Sequence, residues 1–555
     1  MSQKPNIMYF MPGQIIFHSK GQLDSDKLTN WASKIANSRG ISLSFSKEAL
    51  DFNPAPSHGL QPLNIAEQNK QLEQLGRSYR SPEPHPGQPF SLVSAVAQSE
   101  RWLPSPTKPN NLQQPLSELF ELVLTLDGMR NDRENDAPSN LDAVSPNWLM
   151  SGSSQPGATG GPGALPTPYE GEAELAEFQF LFDNTRLSTS NGEMSDKEVV
   201  VAILDTAPKL NGTDKDKVLK EIYEKWGPPS ETKHPLIKTL LGDQGRLKSV
   251  YFDDVVDRPV AGVEQNNGTE PGFIQPEGHD YEMSDHGLFV AGIIHTLAPK
   301  AKLHLFQVLN RYGVGDILSI IRALKIIEAD NETFPKERLL INLSLTINFP
   351  LEKDHGPNDE MLDKILRRYS EDPDGWQRQV EPIASICNSL YIQGAKVIAA
   401  AGNNRKGQHR PQACYPAAFE SILGVGALPK PTKKSEPGKT KIMPASYSNR
   451  SDRPASTGIT TLGGEEGPEQ GILGIYLEEF PPSRDHKRPA IKSDNGWGWW
   501  AGTSFAAPII TGMTAAVRAS RPDLINMEQA VFELFNAQSS KTEDNEDVLE
   551  ITQGN

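Results

Sequence analysis

The chain has 555 residues, a net charge of −16 and a pI near 5.3, and 36% of its residues are hydrophobic. An acidic balance of this size argues against nucleic acid or an anionic membrane as the main partner. No apolar run reaches the length of a membrane-spanning helix, and the N-terminus has no signal-peptide pattern. Two cysteines, Cys387 and Cys414, cannot build a disulfide framework, so we expect a cytoplasmic protein.

The first 130 residues combine two strand-like stretches with two helix-like ones. The letters NIMYFMPGQIIF and PFSLVSAVAQ favour strands. The stretches DSDKLTNWASKIANSRG and PLSELFELVLTLDGM are typical of helices, the first with an acidic start and a Gly stop. We therefore expect a small α+β region over residues 1–130.

Residues 131–172 are dense in Gly, Pro and Ser, as in SGSSQPGATGGPGALPTP. Such a composition disfavours regular structure, so we predict a linker here. The segment also carries an apolar cluster of Trp148, Leu149 and Met150.

Residues 173–540 alternate strand and helix patterns. EVVVAILD is a continuous apolar, β-branched run, as expected of a strand buried on both faces. VGDILSIIRALKIIEAD places its isoleucines and leucines at the spacing of one helix face. The alternation predicts an α/β fold in three layers with a mostly parallel sheet, and sites in such folds form at the carboxyl ends of the strands. Residues 541–555 are predicted to be an acidic tail.

Four polar residues stand where a strand ends or a helix begins: Asp205, His286, Asn403 and Ser504. Each alone is explained by an ordinary role, such as a turn residue, a loop histidine, a left-handed turn or a helix cap. Their order along the chain and their flanking glycines together favour a catalytic group. Ser504 is predicted to open a helix whose first turn contains Pro508.

The stretches AILDT, HGLFVAG, AAAGN and GTSFAAPIITG carry a resemblance to a known family. They resemble the four signature segments of the subtilisin-like serine proteases, the subtilases (peptidase family S8). The last stretch matches the pattern G-T-S-x-A-x-P-x-x-x-G at every fixed position. The resemblance covers about residues 195–535 and does not extend to residues 1–170.

The resemblance implies a subtilisin-like fold and a catalytic triad of Asp205, His286 and Ser504, with Asn403 as an oxyanion donor. It also implies five substrate-binding residues: Ser344, Leu345, Thr346, Ala400 and Gly402. No metal is expected in the catalytic group. A structural calcium ion is common in the family, although no loop of this chain has a specific ligand spacing.

The sequence departs from the family pattern at one position that bears on specificity. Thr346 stands where the family usually has Gly, beside the pocket for the residue before the scissile bond. A side chain at that position predicts a narrower pocket.

These patterns predict a serine endopeptidase that cleaves protein or peptide substrates through an acyl-enzyme. The alternative is a catalytically silent or partner-activated binding protein with the same fold, in a bacterial regulatory or defence system with a regulatory protein partner. The α+β region has two candidate roles, a prodomain that blocks the site or a domain that recognises targets. Cleavage of the linker is predicted near Leu149 and Met150.

Overall fold

The computed structural model describes most of the chain. The described residues are 10–54, 65–102, 113–130, 136–152, 165–171, 179–181, 198–209, 214–227, 234–242, 244–253, 255–257, 260–264, 271–272, 281–347, 349, 364, 367, 375–405, 407, 409–431, 442–467, 469–483, 488–537 and 540–553. We refer to the described residues up to 152 as the N-terminal unit and to those from 165 onward as the C-terminal unit.

The N-terminal unit is an antiparallel sheet with helices. Its elements are β1 (Phe10–Lys20), α1 (Ser25–Ser38), β2 (Ser42–Phe45), β3 (Leu50–Phe52), α2 (Ile65–Gln74), β4 (Phe90–Gln98), α3 (Gln113–Met129) and β5 (Leu141–Gly152). Strand β1 pairs antiparallel with β4 on one side and with β5 on the other, and β2 and β3 both pair with β4. The sequence prediction of a small α+β region is confirmed.

Helix α1 illustrates how local sequence builds this unit. The Asp24 carboxylate accepts a hydrogen bond from the Lys27 backbone N–H (2.9 Å) and so caps the helix. The buried side chains of the helix recur at one-face spacing: Leu28, Trp31, Ala32 and Ala36. They belong to the same hydrophobic core as Phe17 of β1.

The structure corrects one part of the predicted linker 131–172. Residues 141–152 form strand β5, and residues 153–164 lie outside the described residues. Trp148, Leu149 and Met150 are all at least 96% buried, because β5 pairs with β1 and with strands far away in sequence. The composition of this segment predicted a linker. Composition alone carries no information about pairing partners that are far away in sequence.

The C-terminal unit contains the remaining elements. In chain order these are β6 (Thr167–Pro168), β7 (Phe180–Leu181), β8 (Val200–Asp205), α4 (Val218–Trp226), α5 (Pro235–Leu241), β9 (Leu247–Tyr251), β10 (Val260–Glu264), β11 (Pro271–Gly272), α6 (His286–Leu297), β12 (Lys302–Gln307), β13 (Val314–Asp316), α7 (Ile317–Ala329), β14 (Leu339–Leu343), β15 (Leu345–Ile347), α8 (Gly375–Ile392), β16 (Lys396–Ala400), β17 (Ile422–Leu428), β18 (Gly458–Leu462), β19 (Ile472–Ile475), β20 (Glu479–Phe480), β21 (Ile491–Lys492), β22 (Trp497–Trp500), α9 (Thr503–Ser520), α10 (Met527–Ala537), β23 (Val548–Leu549) and β24 (Thr552–Gln553).

An eight-stranded sheet forms the middle layer of this unit. Its order is β23-β18-β17-β16-β14-β8-β12-β9, and every neighbouring pair is parallel. Because parallel strands require crossover connections, helices lie between them in sequence and cover the sheet. The predicted α/β fold with a mostly parallel sheet is confirmed.

Strand β8 shows that the sheet is buried on both faces. Val200, Ala202 and Leu204 belong to the core that also contains residues of α7 and α8. Val201 and Ile203, which point the other way along the strand, belong to a second core with residues of α6, α9 and α10. Two cores on opposite faces of one sheet give the three-layer arrangement predicted from the sequence.

The structure also corrects the predicted acidic tail over 541–555. Strand β23 is the edge strand of the large sheet, and the side chains of Glu546 and Asp547 are buried. Glu546 accepts hydrogen bonds from the Ser451 backbone N–H (2.8 Å) and hydroxyl (2.9 Å) and pairs with Arg410. Buried carboxylates are stable only with such partners, which are distant in sequence. The other predicted boundaries, at 130 and 172, remain predictions.

Candidate active site

Asp205 and His286 form a buried pair at the carboxyl edge of the sheet. Asp205 is the last residue of β8, and His286 is the first residue of α6. His286 Nδ1–H donates to Asp205 Oδ1 (2.7 Å), and both side chains are 0% exposed. The Thr206 backbone N–H donates to the same carboxylate oxygen (2.7 Å) and holds it in place.

Two aromatic side chains pack against the His286 imidazole. The ring centroid of Trp500 lies 5.1 Å away at 88°, and that of Phe505 lies 5.2 Å away at 50°. His286 Nε2 is buried and has no hydrogen-bond partner among the described residues. Because the carboxylate oxygen faces Nδ1, the proton of the neutral ring resides there and Nε2 carries the lone pair. The imidazole is therefore oriented to accept a proton at Nε2.

Ser504 is the second residue of α9 and contacts Ser344, the residue that follows strand β14. The Ser504 hydroxyl donates to the Ser344 carbonyl (3.0 Å), and the Ser344 hydroxyl donates to the Ser504 carbonyl (2.7 Å). Phe505, the next residue in the helix, packs on the His286 ring. The Ser344 carbonyl thus holds the Ser504 hydroxyl at the N-terminus of α9.

Pro508 explains the second of these hydrogen bonds. The sequence predicted Pro508 in the first helical turn, but α9 begins at Thr503 and places it one turn later. An internal proline has no N–H, so the carbonyl four residues earlier, that of Ser504, loses its helical donor. The Ser344 hydroxyl replaces that donor (2.7 Å) and ties the helix start to the end of β14.

The Asn403 side chain has a defined orientation. Its Oδ1 accepts from both the backbone N–H (3.1 Å) and the hydroxyl (2.9 Å) of Thr503. The amide nitrogen must then face the other way, and Asn403 Nδ2 is buried without a hydrogen-bond partner among the described residues. A buried N–H donor with no partner is costly unless a ligand supplies an acceptor. This donor is adjacent to the helix start that carries Ser504.

Strand β5 of the N-terminal unit lies beside this group of residues. It is inserted between β13 and β15 and pairs antiparallel with both. Ser151 faces Val314 on one side and Thr346 on the other. As β5 runs on to Gly152, its partner on β15 becomes Leu345, the residue next to Ser344. The strand therefore runs toward Ser504.

Comparison with known proteins identifies the family. The sequence profile of the subtilase family, peptidase S8, matches residues 196–547. The chain belongs to the subtilase family.

Individual relatives of this subtilase are distant. Serine protease AprX of Bacillus subtilis (strain 168) is 26% identical over 47% of this chain and 52% of its own length, and subtilisin of Bacillus sp. (strain TA39) is 25% identical over 45% and 49%. The chain thus spans about half the length of the curated relatives it matches. Among solved structures, the nisin leader peptidase NisP from Lactococcus lactis aligns over 64% of this chain and 87% of its own, with 16% identity and a TM-score of 0.37.

The residues predicted to bind substrate lie in two places in the subtilase. Leu345 and Thr346 are in β15, directly opposite Gly152 and Ser151 of β5, and Ser344 precedes them against Ser504. Ala400 ends β16 and is fully buried, and the Gly402 backbone N–H donates to the Thr503 hydroxyl (3.2 Å). Their substrate-binding roles, and the narrower pocket beside Thr346, remain predictions.

Sequence reasoning missed β13, the strand that pairs with β5 on the side opposite β15. Strand β13 faces Leu149, Met150 and Ser151 of β5. A Cβ atom on Gly315 would lie 2.0 Å from the Val308 carbonyl and 3.0 Å from the Met150 side chain, so the close approach requires glycine. The glycines in the letters YGVGD are the one local signal of such a close backbone approach.

Sequence reasoning also missed Asp285, the residue before His286. The Asp285 carboxylate is buried and accepts hydrogen bonds from the backbone N–H groups of Leu477 and Glu478 (2.7 Å for Glu478). Burial, reinforced by the nearby Glu478 charge, raises the pKa of Asp285 to about 7. Asp285 thereby links the start of α6 to the segment after β19.

The structure contains no feature that points to a metal or a membrane in its described part. Among the residues it describes, no three metal-binding side chains come together. None of the described helices has the length and apolar character needed to cross a bilayer. The calcium ion suggested by the resemblance therefore remains a prediction.

Proposed function

We propose that this chain is a serine endopeptidase with Asp205, His286 and Ser504 as its triad and Asn403 as an oxyanion donor. The observation that carries the proposal is the His286 imidazole. It is hydrogen-bonded to Asp205 at Nδ1 (2.7 Å) and presents a buried Nε2 with no partner among the described residues. Family membership supports the same chemistry.

Each residue has a distinct task in this reaction. The Ser504 hydroxyl turns from the Ser344 carbonyl toward His286 and attacks the substrate carbonyl carbon, while its proton passes to Nε2. The oxyanion of the tetrahedral intermediate accepts from Asn403 Nδ2 and from the N–H groups at the start of α9. His286 then protonates the leaving amine, and a water molecule hydrolyses the acyl-enzyme by the same route. Asp205 remains ionised and stabilises the imidazolium.

We propose that protein or peptide substrates bind in extended form between β13 and β15. Both strands present backbone hydrogen-bonding groups to the cleft, and β5 already pairs with them antiparallel. Added strands of this kind gain affinity from the main chain and specificity from alternate side chains. The carbonyl of Ser344, which now accepts from Ser504, becomes available to a substrate N–H when the hydroxyl turns away.

We propose further that the N-terminal unit inhibits the enzyme rather than recognising its targets. Its last strand occupies the cleft that a substrate strand would need. The register also favours a cut after Gly152 instead of near Leu149 and Met150. Those two residues pair with Asp316 and Gly315, whereas Gly152, opposite Leu345, is the last described residue of β5.

Intact-mass analysis of the purified chain tests both statements. The parent chain is expected to yield two fragments with a new end shortly after Gly152, and Ser504→Ala is expected to remain at full length. A parent chain that stays intact under conditions where casein is hydrolysed would refute processing. Fragments of the same mass from Ser504→Ala would refute the assignment of the nucleophile.

Two further expectations belong to the same proposal. The cytoplasm remains the expected location, supported by Cys387 and Cys414, which form no disulfide. The silent or partner-activated alternative is disfavoured because the chain retains all four residues of the proposed site, Asp205, His286, Asn403 and Ser504.

A further inference from the structure

Trp500 lies at the end of β22, shortly before Ser504. Strand β22 is fixed along both edges, because it pairs antiparallel with β19 on one side and with β6 on the other. Trp500 faces Ile472 of β19, and a Cβ atom on the neighbouring Gly471 would lie 2.6 Å from the Trp500 carbonyl oxygen. The backbone of Trp500 is therefore held in place, and its side chain is buried.

The Trp500 ring contacts both of the helices that carry His286 and Ser504. In α6 it meets His286 (centroids 5.1 Å apart, planes at 88°) and Phe289, one turn further along the same helix (5.8 Å, 87°). In α9 it meets Phe505, the residue after Ser504 (5.2 Å, 43°). Perpendicular and tilted ring pairs at these separations are favoured arrangements of aromatic side chains. One side chain thus connects the two helices on which the proposed reaction depends.

Hydrogen bonding alone leaves the plane of the His286 imidazole loosely defined. Its Nδ1–H donates to Asp205 (2.7 Å), whereas Nε2 has no partner among the described residues. The outer side-chain torsion of histidine has broad minima, so a ring anchored at one corner can still turn about that contact. The direction of Nε2 therefore depends on the rings that pack against the imidazole, those of Trp500 and Phe505.

The ring of Trp500, and not its N–H group, accounts for the contacts of this residue. Trp500 Nε1 is buried and finds no hydrogen-bond acceptor in the described part of the chain, which costs stability. The Phe289 ring, which packs on Trp500, lies in turn against β19, where a Cβ atom on Gly474 would be 2.6 Å from it. Such close packing opposes any rotation of the imidazole, because a turned ring would have to displace its neighbours.

We propose that Trp500 is a positioning residue for His286, whose ring keeps the imidazole plane aligned so that Nε2 stays directed for proton transfer from Ser504. The proposal rests on the proposed function for its effect on the reaction rate, whereas the orientation of the imidazole is a property of the folded chain. Without the indole, the imidazole is free to turn about its hydrogen bond to Asp205. A misaligned general base accepts the proton more slowly.

The orientation of the imidazole can be measured without any peptidase activity. In the full-length Ser504→Ala chain, proton NMR detects the His286 Nδ1–H as a low-field resonance, which is assigned by its absence from the His286→Gln variant. We expect Trp500→Leu to shift this resonance or to broaden it beyond detection, because the hydrogen bond to Asp205 then samples several geometries.

Trp497→Leu is the matched control. Trp497 belongs to the same strand and is also buried, but it points to the opposite face of β22 and stacks on His234 (3.8 Å). Both leucine variants lose a buried indole, so both should have a lower melting temperature than the parent. Only Trp500→Leu should change the His286 resonance, which separates positioning from a general loss of stability.

The rate at which a fluorophosphonate probe labels Ser504 gives the second readout. In chains that retain Ser504, we expect Trp500→Leu to be labelled at least about tenfold more slowly than the parent. Trp500→Phe keeps an aromatic ring and should recover part of that rate, and Trp497→Leu should be labelled like the parent.

A parent-like resonance in Trp500→Leu, or equal labelling rates for the two leucine variants, would overturn the proposal. If Trp500→Leu does not fold, Trp500→Phe takes its place, and an unchanged resonance together with an unchanged rate in that variant would overturn the proposal too. A parent chain that is not labelled at all would refute the proposed enzyme and the effect on rate. The resonance would then decide alone whether Trp500 holds the imidazole.

Discussion

Thr503 determines which end of the Asn403 side-chain amide, the oxygen or the NH₂ group, is left for a substrate. Its N–H and hydroxyl both donate to Oδ1, so the NH₂ group alone can serve as the oxyanion donor. The same hydroxyl accepts from the Gly402 backbone N–H (3.2 Å), at a glycine whose φ of +107° other residues rarely adopt. The orientation of the donor is therefore built into the chain before any substrate arrives.

Replacing Asn403, the proposed oxyanion donor, should impair turnover more than binding. Asn403→Ala removes a hydrogen bond that strengthens only as the oxyanion forms. We expect kcat to fall by about 10²–10³ with little change in KM, which is the magnitude known for loss of the oxyanion asparagine in subtilisin. Steady-state kinetics on a peptide substrate measure it. Equal kcat values for parent and variant would exclude Asn403 as the donor.

The raised pKa of Asp285 predicts that the stability difference between the parent chain and Asp285→Asn depends on pH. Its pKa is raised to about 7, so between about pH 4 and pH 7 the folded state holds a proton that the unfolded state releases. Stability of the parent is thus lost as pH rises through this window, by at most about 1.4 kcal/mol per pH unit from this group. Asp285→Asn retains an oxygen for the Glu478 N–H and has no charge to bury.

Thermal unfolding in the Ser504→Ala background measures the effect of Asp285. The melting temperature of Asp285→Asn relative to the parent should rise from pH 5 to about pH 7 and level off by pH 8. A difference that is constant over this range would show that Asp285 titrates as it does in the unfolded chain.

The residues of the candidate site could be predicted because their signals are local. Asp205 ends an apolar strand, and Ser504 opens a helix within a specific motif. What the sequence could not predict are the contacts that orient them. The exchange of hydrogen bonds between Ser344 and Ser504 joins residues 160 positions apart, and the position of Pro508 within the helix decides it.

At the scale of elements, the two halves of β5 pair with strands of different units. Its first half pairs with β1 from Leu141 onward, and its second half, from Leu149 to Gly152, pairs with β13 and β15. Composition predicted a linker because Gly, Pro and Ser are frequent in the surrounding segment. Strand formation was decided instead by partners more than 150 positions away, which no local pattern encodes.

Loosening the second half of β5 should activate the chain. Met150→Asp places a carboxylate at a fully buried position opposite Gly315, where an unpaired charge is costly. We expect hydrolysis of an added peptide by the uncut chain to increase at least about tenfold, because about 1.4 kcal/mol of lost pairing suffices for that. Met150→Leu keeps the apolar contact and should match the parent. Equal rates for all three chains would show that β5 does not limit access.

At the scale of the whole molecule, four of the five buried histidines among the described residues have a lowered pKa. Burial lowers the pKa of His18, His295 and His304 to about 4 and that of His234 to about 3. The unfolded chain takes up protons at these sites below about pH 6.5, whereas the folded chain does so only near pH 4. Stability is therefore expected to fall as pH decreases through this interval.

This acid effect should dominate the pH dependence of unfolding. Each histidine contributes about 1.4 kcal/mol per pH unit, and the raised pKa values of Asp285, Glu381 and Glu478 oppose it only in part. The melting temperature of the Ser504→Ala chain should decrease from pH 7 to pH 5 in low salt. A melting temperature that is flat or rises over that range would contradict the burial of neutral imidazoles.

The α/β architecture was predictable because strand and helix patterns alternate, and the parallel sheet follows from that alternation. The attachment of the N-terminal unit was not. Both the segment 65–87 and β5 depend on contacts with residues more than 150 positions away, such as Tyr79 with Glu528. The composition of these two segments does not show whether they are packed against other elements or exposed to solvent.

The most direct test of the account is labelling of Ser504 by a fluorophosphonate probe. The uncut parent chain, Met150→Asp and Ser504→Ala are compared at equal concentration. We predict strong labelling of Met150→Asp, weak labelling of the uncut parent and none of Ser504→Ala, because a complete active site is covered by β5. Equally strong labelling of parent and Met150→Asp would contradict the covered cleft, and labelling of none of the three would contradict the serine peptidase.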